Sequence, residues 1–374
     1  MLTNGSLALD ALEGQAAREN PLSAVPARAE ARDLPVTLDD VEQAMLVVRE
    51  HLPATPLVSH PLLDERVGCK VFVKLENTQS IGSFKIRGGL NLLSKLSAED
   101  RARGLVTATR GNHGQSIAYA ARVHGARCTI FVPRGNNPDK NAAMAALGAH
   151  VVEVGHDFDA AMIAAEEYAR RHSARLVHPA RDLDLVAGVG TIALEMLEQA
   201  DGQLDAVYVP VGGGSIAAGI SVVMQALSPQ TRVIGVSAEN APAMHHAWHT
   251  GEYRPFAAVD TLADGLAVRV PVDVTLGMLR PLLAGMVLVS EREIQAAIRA
   301  YAQTVHQMAE GAAAAALAAA IRDRESLAGR RVGVVLTGGN ISAATLMSAL
   351  ADERPQHEPK AMPYFPIGEL SYGY

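Results

Sequence analysis

Short runs of β-branched and other apolar residues recur along the chain, and most are followed by an alanine-rich segment with helical spacing of its apolar positions. Seven runs predict strands, at residues 71–75, 105–109, 128–132, 151–154, 206–211, 233–237 and 332–336. Because strands alternate with helices, the pattern predicts an α/β fold of parallel-type sheets with right-handed crossovers. Several runs are apolar throughout, which is typical of strands covered by helices on both faces.

The two ends of the chain lack this pattern. Residues 1–35 show no sustained periodicity and are interpreted as a flexible N-terminal arm. Residues 353–374 form a tail rich in proline and tyrosine, whose prolines exclude a regular helix or a central strand. No low-complexity linker interrupts the region between the ends, so any two lobes are expected to be interleaved along the chain.

Composition narrows the class of protein. Hydrophobic residues make up 49% and charged residues 20%, which is typical of a globular chain. Lys and Arg number 33 against 40 Asp and Glu, so a nucleic-acid partner is not expected. We also expect no membrane span and no signal peptide, and therefore a cytoplasmic location. The two cysteines, Cys69 and Cys128, match no disulfide framework and no metal-binding spacing.

Candidate chemistry lies in four loops. Ligands of open α/β sheets bind at the carboxyl ends of strands. Loops of unusual composition are predicted at residues 80–85, 109–114, 212–215 and 337–340. Three of them directly follow a predicted strand, and the first contains a lysine at the start of a helical pattern.

The loop Gly212-Gly213-Gly214-Ser215 predicts an anion site. Glycines after a strand let backbone N–H groups turn toward a phosphate, and the next helix adds positive potential. A tight turn without a ligand is the simpler alternative. Gly212-x-Gly214-x-x-Ala217, with Glu239 after the next strand, also fits the dinucleotide fingerprint, so a nicotinamide enzyme is a competing interpretation.

Lys85 is the candidate nucleophile. Phe84 and Ile86 flank it, and an apolar environment lowers the pKa of a lysine and makes its amine reactive toward aldehydes. A solvated surface lysine is the alternative. A reactive lysine together with a phosphate site favours pyridoxal 5'-phosphate as cofactor.

Six motifs together resemble the serine/threonine dehydratases, the threonine ammonia-lyases of the tryptophan-synthase-β-like, fold type II pyridoxal-phosphate enzymes. They are Ser83-Phe84-Lys85-Ile86-Arg87-Gly88, Gly111-Asn112-His113, Gly212-Gly213-Gly214, Ala263-Asp264-Gly265, Glu310-Gly311-Ala312 and Gly338-Gly339-Asn340. The similarity extends over residues 34–351. It gives Lys85 and both asparagine loops a role, which the nicotinamide interpretation does not.

The resemblance implies an architecture and a reaction. The cofactor would lie between a large lobe of residues 36–74 and 186–352 and a small lobe of residues 75–185. The reaction would be β-elimination of water from a small 3-hydroxy amino acid, most simply L-threonine or L-serine, followed by release of a 2-oxo acid and ammonia. Family members are usually dimers or tetramers, so we expect a homodimer or homotetramer, and we expect no appended regulatory domain.

The resemblance also implies roles for individual residues. Lys85 would bind the cofactor covalently and then remove the Cα proton. The other cofactor contacts would be Phe84, Asn112, Gly212, Gly213, Gly214, Ser215 and Thr337, with Thr337 facing the pyridine nitrogen where relatives have serine. The substrate contacts would be Ser83, Thr109, Arg110, Gly111 and His113.

Two positions depart from the family pattern. Arg110 replaces a serine that acts as the second base in related racemases, and because arginine stays protonated, racemisation is disfavoured. Arg110 instead suits a second substrate carboxylate, as in 3-hydroxyaspartate, although a salt bridge or an outward orientation remains an alternative. Bulky 3-hydroxy amino acids and a non-catalytic, ligand-sensing protein also stay open.

The second departure concerns a cation site. Glu239 matches a metal ligand of the racemase branch, but His245 stands where an aspartate is expected, so no metal is predicted. His245, His246 and His249 lack the glutamate of a zinc-protease motif and are interpreted as solvated helix residues.

Overall fold

The computed structural model describes residues 34–351. The predicted tail of residues 353–374 and all but the last two residues of the predicted arm lie outside this range. The described part contains ten strands, namely β1 Leu57–Val58, β2 Lys70–Leu75, β3 Leu105–Ala108, β4 Cys128–Val132, β5 His150–Glu153, β6 Arg175–Leu176, β7 Ala206–Pro210, β8 Arg232–Ala238, β9 Gly285–Val289 and β10 Arg331–Leu336.

Fourteen α-helices connect and cover these strands in the same range. They are α1 Leu38–His51, α2 Pro61–Val67, α3 Lys85–Ser94, α4 Ala98–Arg103, α5 Asn112–Val123, α6 Pro138–Ala146, α7 Phe158–His172, α8 Leu183–Gln199, α9 Ser215–Leu227, α10 Ala243–Thr250, α11 Asp273–Leu282, α12 Glu291–Thr304, α13 Gly311–Arg322 and α14 Ala343–Ala351. Within residues 34–351, no helix is both long and apolar enough to cross a bilayer.

The strands form two sheets. The larger has the order β1-β2-β10-β7-β8-β9, and all its pairs are parallel except the short β1–β2 pair. The smaller has the order β5-β4-β3-β6 and is entirely parallel. The α/β class with parallel-type sheets is therefore confirmed. All strands of the smaller sheet lie within residues 75–185, and we propose lobe boundaries near those two positions.

Each sheet is buried on both faces, which explains the nearly continuous apolar runs. On β10, Val332, Val334 and Leu336 pack in one apolar layer with α12 and α13, whereas Val335 packs in the opposite layer with α8, α9 and α11. The smaller sheet is covered by α3 and α5 on one face and by α7 on the other. Successive side chains of a strand point to opposite faces of the sheet, so each strand contributes apolar side chains to both layers.

Glycines bring α3 and α8 into close contact. A Cβ added at Gly188 would lie 2.7 Å from the carbonyl oxygen of Arg87 and 2.7 Å from Cα of Gly88. Gly188 therefore allows α8 to pack closely against α3. This contact fixes the position of α3, whose first residue is Lys85.

Candidate active site

The four predicted loops meet at one cleft between the two sheets. Its volume is about 660 Å³. The cleft is lined by nearly all of the predicted site residues, namely Phe84, Lys85, Thr109, Arg110, Gly111, Asn112, His113, Gly212, Gly213, Gly214, Ser215 and Thr337. Strand ends of both sheets lead into these loops, as expected for ligand sites of parallel sheets.

Ser83 is the predicted site residue that does not line the cleft. It is fully buried, it is absent from the cleft wall, and its backbone forms an isolated bridge with Gly338. The next residue, Phe84, donates its N–H to the carbonyl oxygen of Thr337 at 2.9 Å. The segment before Lys85 is thus fastened to the loop after β10, so the side chain of Ser83 is held away from the cleft.

Lys85 occupies the floor of the cleft at the start of α3. Its Nζ lies 3.1 Å from Oγ of Ser215 and 3.4 Å from the carbonyl oxygen of Pro179. It also lies 5.1 Å from the ring centroid of Phe84. Burial lowers the pKa of Lys85 to about 8, because the charged amine loses its hydration. A considerable fraction of the amine is therefore neutral and nucleophilic near neutral pH.

The glycine loop exposes bare backbone at the N-terminus of α9. A Cβ at Gly212 would lie 2.1 Å from the carbonyl oxygen of Gly265, and Gly214 has a φ of +87°, which favours glycine. No side chain caps the first N–H groups of this 13-residue helix. Free N–H donors at a helix N-terminus attract anions, so the loop can hold a phosphate.

The loop after β3 is held in shape by Thr109. Its Oγ1 accepts hydrogen bonds from the N–H groups of Gly111 at 2.9 Å and Gly114 at 3.3 Å. Burial shifts the pKa of His113 well below its ordinary value, and its Nε2 lies 3.0 Å from Oγ1 of Thr107. His113 is therefore neutral at physiological pH and adds no charge to the cleft.

Asn112 belongs to a polar network that sequence reasoning did not foresee. Its Nδ2 donates to Oε1 of Glu310 at 2.6 Å, and its Oδ1 accepts from Nδ2 of Asn340 at 2.8 Å. Burial raises the pKa of Glu310, although the nearby Lys140 ammonium opposes this shift. Glu310 and Asn340 belong to motifs identified in the sequence, whereas no sequence motif indicated Lys140 as a site residue. The network fixes the amide plane of Asn112 at the cleft.

The sequence predicted no metal ion at Glu239 or at the histidines of α10. Among the described residues, no group of three or more His, Cys, Asp or Glu side chains is arranged to hold a metal ion. The interpretation of these histidines as solvated is wrong for His245, which is half-buried and whose pKa burial lowers to about 3. Packing of α10 against the large sheet accounts for this burial.

Comparisons with known proteins agree on one family. A family described as pyridoxal-phosphate dependent enzyme matches residues 48–338, more than half of the chain. An L-threonine ammonia-lyase from Thermotoga maritima is 38% identical over 306 residues, which cover 82% of this chain and 76% of that protein. An L-threo-3-hydroxyaspartate ammonia-lyase from Saccharomyces cerevisiae is 32% identical, covering 84% and 98%.

A solved structure shows the same architecture. The processed form of threonine deaminase isoform 2 from Solanum lycopersicum superposes with a TM-score of 0.79 at 30% sequence identity. The match covers 88% of this chain and all of that one.

Proposed function

Because the chain belongs to the pyridoxal-phosphate dependent enzymes, we propose that it is an ammonia-lyase that converts a 3-hydroxy amino acid into a 2-oxo acid and ammonia. The observation that carries the proposal is the buried Lys85, with its lowered pKa, beside an uncapped glycine loop in one cleft. The relatives named L-threonine ammonia-lyase support L-threonine, with L-serine, as the first substrates to test.

The residues of the cleft fit the proposed cofactor. The bare backbone of Gly212, Gly213 and Gly214 would hold its phosphate, since no side chain caps the N–H groups at the start of α9. The Lys85 amine would bind its aldehyde, and Phe84, Asn112 and Thr337 would contact its ring. When bound, pyridoxal phosphate withdraws electrons from the substrate's Cα and makes the Cα proton acidic.

The chain itself supplies base and orientation. The Lys85 amine can accept the Cα proton, because burial lowers its pKa to about 8. The loop of Gly111, Asn112 and His113 would hold the substrate's α-carboxylate beside it. The β-hydroxyl then leaves as water, and hydrolysis of the released enamine consumes one water and gives the 2-oxo acid and ammonia.

The proposal is tested with a panel of 3-hydroxy amino acids. The purified holoenzyme is incubated with L-threonine, L-serine, 3-hydroxyaspartate and a bulky 3-hydroxy amino acid, and 2-oxo acid and ammonia are measured. Equal amounts of the two products from at least one substrate support the proposal. A protein that retains its cofactor but releases neither product from any of them overturns it.

A substitution in the glycine loop should weaken cofactor binding. In Gly212→Ala the new Cβ would collide with the backbone of Gly265. The loop must therefore shift, and its N–H groups would no longer point toward the phosphate. We expect the Kd for pyridoxal phosphate to rise about ten- to hundredfold. The control is Gly277→Ala in α11, where a Cβ meets no atom within 4 Å. Equal Kd values for the two variants would contradict a phosphate site at this loop.

The lowered pKa of Lys85 predicts a pH dependence. Only the neutral amine is a nucleophile, so labelling of Lys85 by an acylating reagent in cofactor-free protein should accelerate as the pH rises. We expect the midpoint at about pH 8 rather than near the ordinary lysine value of 10.5. Peptide mass spectrometry after labelling between about pH 6 and about pH 10 measures it. A midpoint at the ordinary value would show that the amine is hydrated.

We also propose a cytoplasmic homodimer or homotetramer. The support is the family resemblance, together with Cys69 and Cys128, which are free, buried thiols. Burial raises the pKa of Cys69 to about 11 and that of Cys128 to about 12, so both stay protonated and unreactive. Sedimentation that finds only single chains would contradict the oligomer.

A further inference from the structure

The cleft contains a set of basic side chains, and most of them are already neutralised. Five lysines and arginines line it, namely Lys85, Arg110, Lys140, Arg181 and Arg269. Three of these are held by carboxylates, in the pairs Lys140–Asp264 at 3.1 Å, Arg181–Asp273 at 3.4 Å and Arg269–Asp159 at 2.9 Å. Lys85 is assigned to the cofactor. Arg110 remains.

Arg110 has no partner of its own within residues 34–351. No carboxylate of this range lies within ion-pair distance of its guanidinium, and its Nε is buried without a hydrogen-bond partner there. The salt bridge considered from the sequence is therefore not formed. A guanidinium stays charged at any ordinary pH, and a half-buried charge without a counterion is costly. An anion bound in the cleft would remove this cost.

Arg110 contributes to the lowered pKa of Asp157, but the Asp157 carboxylate already has other partners. Its Oδ1 accepts the N–H of Ala160 at 2.8 Å, as the N-cap of α7. Its Oδ2 lies 3.7 Å from a guanidinium nitrogen of Arg269. The hydrogen bond from Ala160 is the main cause of its lowered pKa, and Arg110 contributes least. Arg110 thus retains its capacity to bind a ligand carboxylate.

The location of Arg110 indicates which part of a substrate it would reach. It directly precedes Gly111, Asn112 and His113, the loop proposed to hold the α-carboxylate. A guanidinium binds a carboxylate with two parallel hydrogen bonds. In an amino acid whose α-carboxylate lies on this loop, a carboxylate on the β-carbon is only about three bonds away, which places it within the span of the neighbouring Arg110 side chain.

We propose that Arg110 is a specificity-determining residue that binds a second substrate carboxylate, so that the enzyme acts on dicarboxylic 3-hydroxy amino acids. This rests on the proposed ammonia-lyase function and names its substrate class. The Cα–H and Cβ–OH bonds break and water leaves. One water is then taken up, so the net products are one 2-oxo dicarboxylic acid and one ammonia.

The test compares substrates in matched variants of the holoenzyme. Values of kcat/KM are measured for L-threonine, 3-hydroxyaspartate and 3-hydroxyglutamate in the wild type, Arg110→Gln and Arg110→Lys. Arg181→Gln is the control, because that arginine lines the same cleft but is already paired with Asp273. Inhibition by succinate and by butyrate gives a readout of binding that needs no turnover, since both have four carbons but only succinate has two carboxylates.

In Arg110→Gln we expect kcat/KM for at least one dicarboxylic substrate to fall about ten- to hundredfold, while the value for threonine changes less than about threefold. Inhibition by succinate should weaken by a similar factor, and inhibition by butyrate should not. Arg110→Lys should lie between, because it keeps the charge but loses the bidentate geometry. If Arg110→Gln fails to hold cofactor, the same comparison in Arg110→Lys decides.

Equal losses for threonine and both dicarboxylic substrates would overturn the inference, as would equal effects on succinate and butyrate. An effect of Arg181→Gln as selective as that of Arg110→Gln would also overturn it. These outcomes differ from failure of the proposed function, in which no 3-hydroxy amino acid yields a 2-oxo acid.

Discussion

Replacing Lys85 by alanine is expected to lower the rate of ammonia release about a thousandfold or more, because the variant loses both the amine that binds the cofactor and the base at Cα. The cleft offers no simple substitute. Lys140 lies there as well, but Asp264 and Glu310 hold its ammonium at 3.1 Å and 3.9 Å. The measurement is the initial rate of 2-oxo acid formation at saturating substrate and cofactor.

The control for this variant is Lys95→Ala, which removes a lysine at the other end of α3. Lys95 is paired with Asp184 in solvent, far from the cleft wall. It should keep nearly full activity and the visible absorption of bound cofactor. Activity of Lys85→Ala within tenfold of the control would show that another group performs its chemistry.

The second large effect concerns stability and arises from Glu195→Ala. Glu195 lies in a buried charge cluster that comprises Lys74, Glu76, Arg87 and Glu195. Its carboxylate accepts from Nζ of Lys74 at 2.6 Å and from two guanidinium nitrogens of Arg87 at 2.7 Å and 2.8 Å. Burial alone would raise the pKa of Glu195, but the hydrogen bond and charge of Arg87, with Lys74, lower it.

Loss of this carboxylate leaves two buried cations with one shared acid, Glu76. Breaking a buried pair in this way commonly costs about 3–5 kcal/mol. Arg87 is two residues beyond Lys85 on α3, so the cluster also fixes the helix that begins the active site. We therefore expect a large decrease in the urea midpoint of unfolding, together with weaker cofactor retention.

Glu198→Ala provides a matched control on the same helix, α8. The Glu198 carboxylate pairs with Arg49 at 2.7 Å, but its side chain is 59% exposed. An exposed pair contributes at most about 1 kcal/mol, so this variant should unfold nearly like the wild type. Similar midpoints for the two glutamate variants would contradict a stabilising role for the buried cluster.

The strands were predictable because their signal is local. Each of the seven predicted runs overlaps an observed strand to within one residue at either end, since β-branched runs buried on both faces leave a continuous apolar segment. The two-residue strands β1 and β6 are too short to give such a signal. The strand β9 was missed although its sequence, Gly-Met-Val-Leu-Val, is an apolar run that could have been recognised.

The active site was predictable only in part, for a related reason. The chemistry of Lys85 and of the glycine loop could be predicted from the residues next to them in the sequence. The network of Asn112 with Glu310 and Asn340 joins residues about two hundred positions apart, and no local pattern encodes such a contact. Buried charges are equally hidden, because Arg87 reads as a surface residue until its partners are known.

Borohydride reduction of the holoenzyme, followed by peptide mass spectrometry, shows whether Lys85 attaches the cofactor in the catalytic cleft. Reduction makes the lysine–cofactor bond permanent, so its position can be read from the modified peptide. We expect one modified peptide, the one containing Lys85, and loss of ammonia release in proportion to modification. Modification of another lysine, or none in a protein that still releases ammonia, would contradict it.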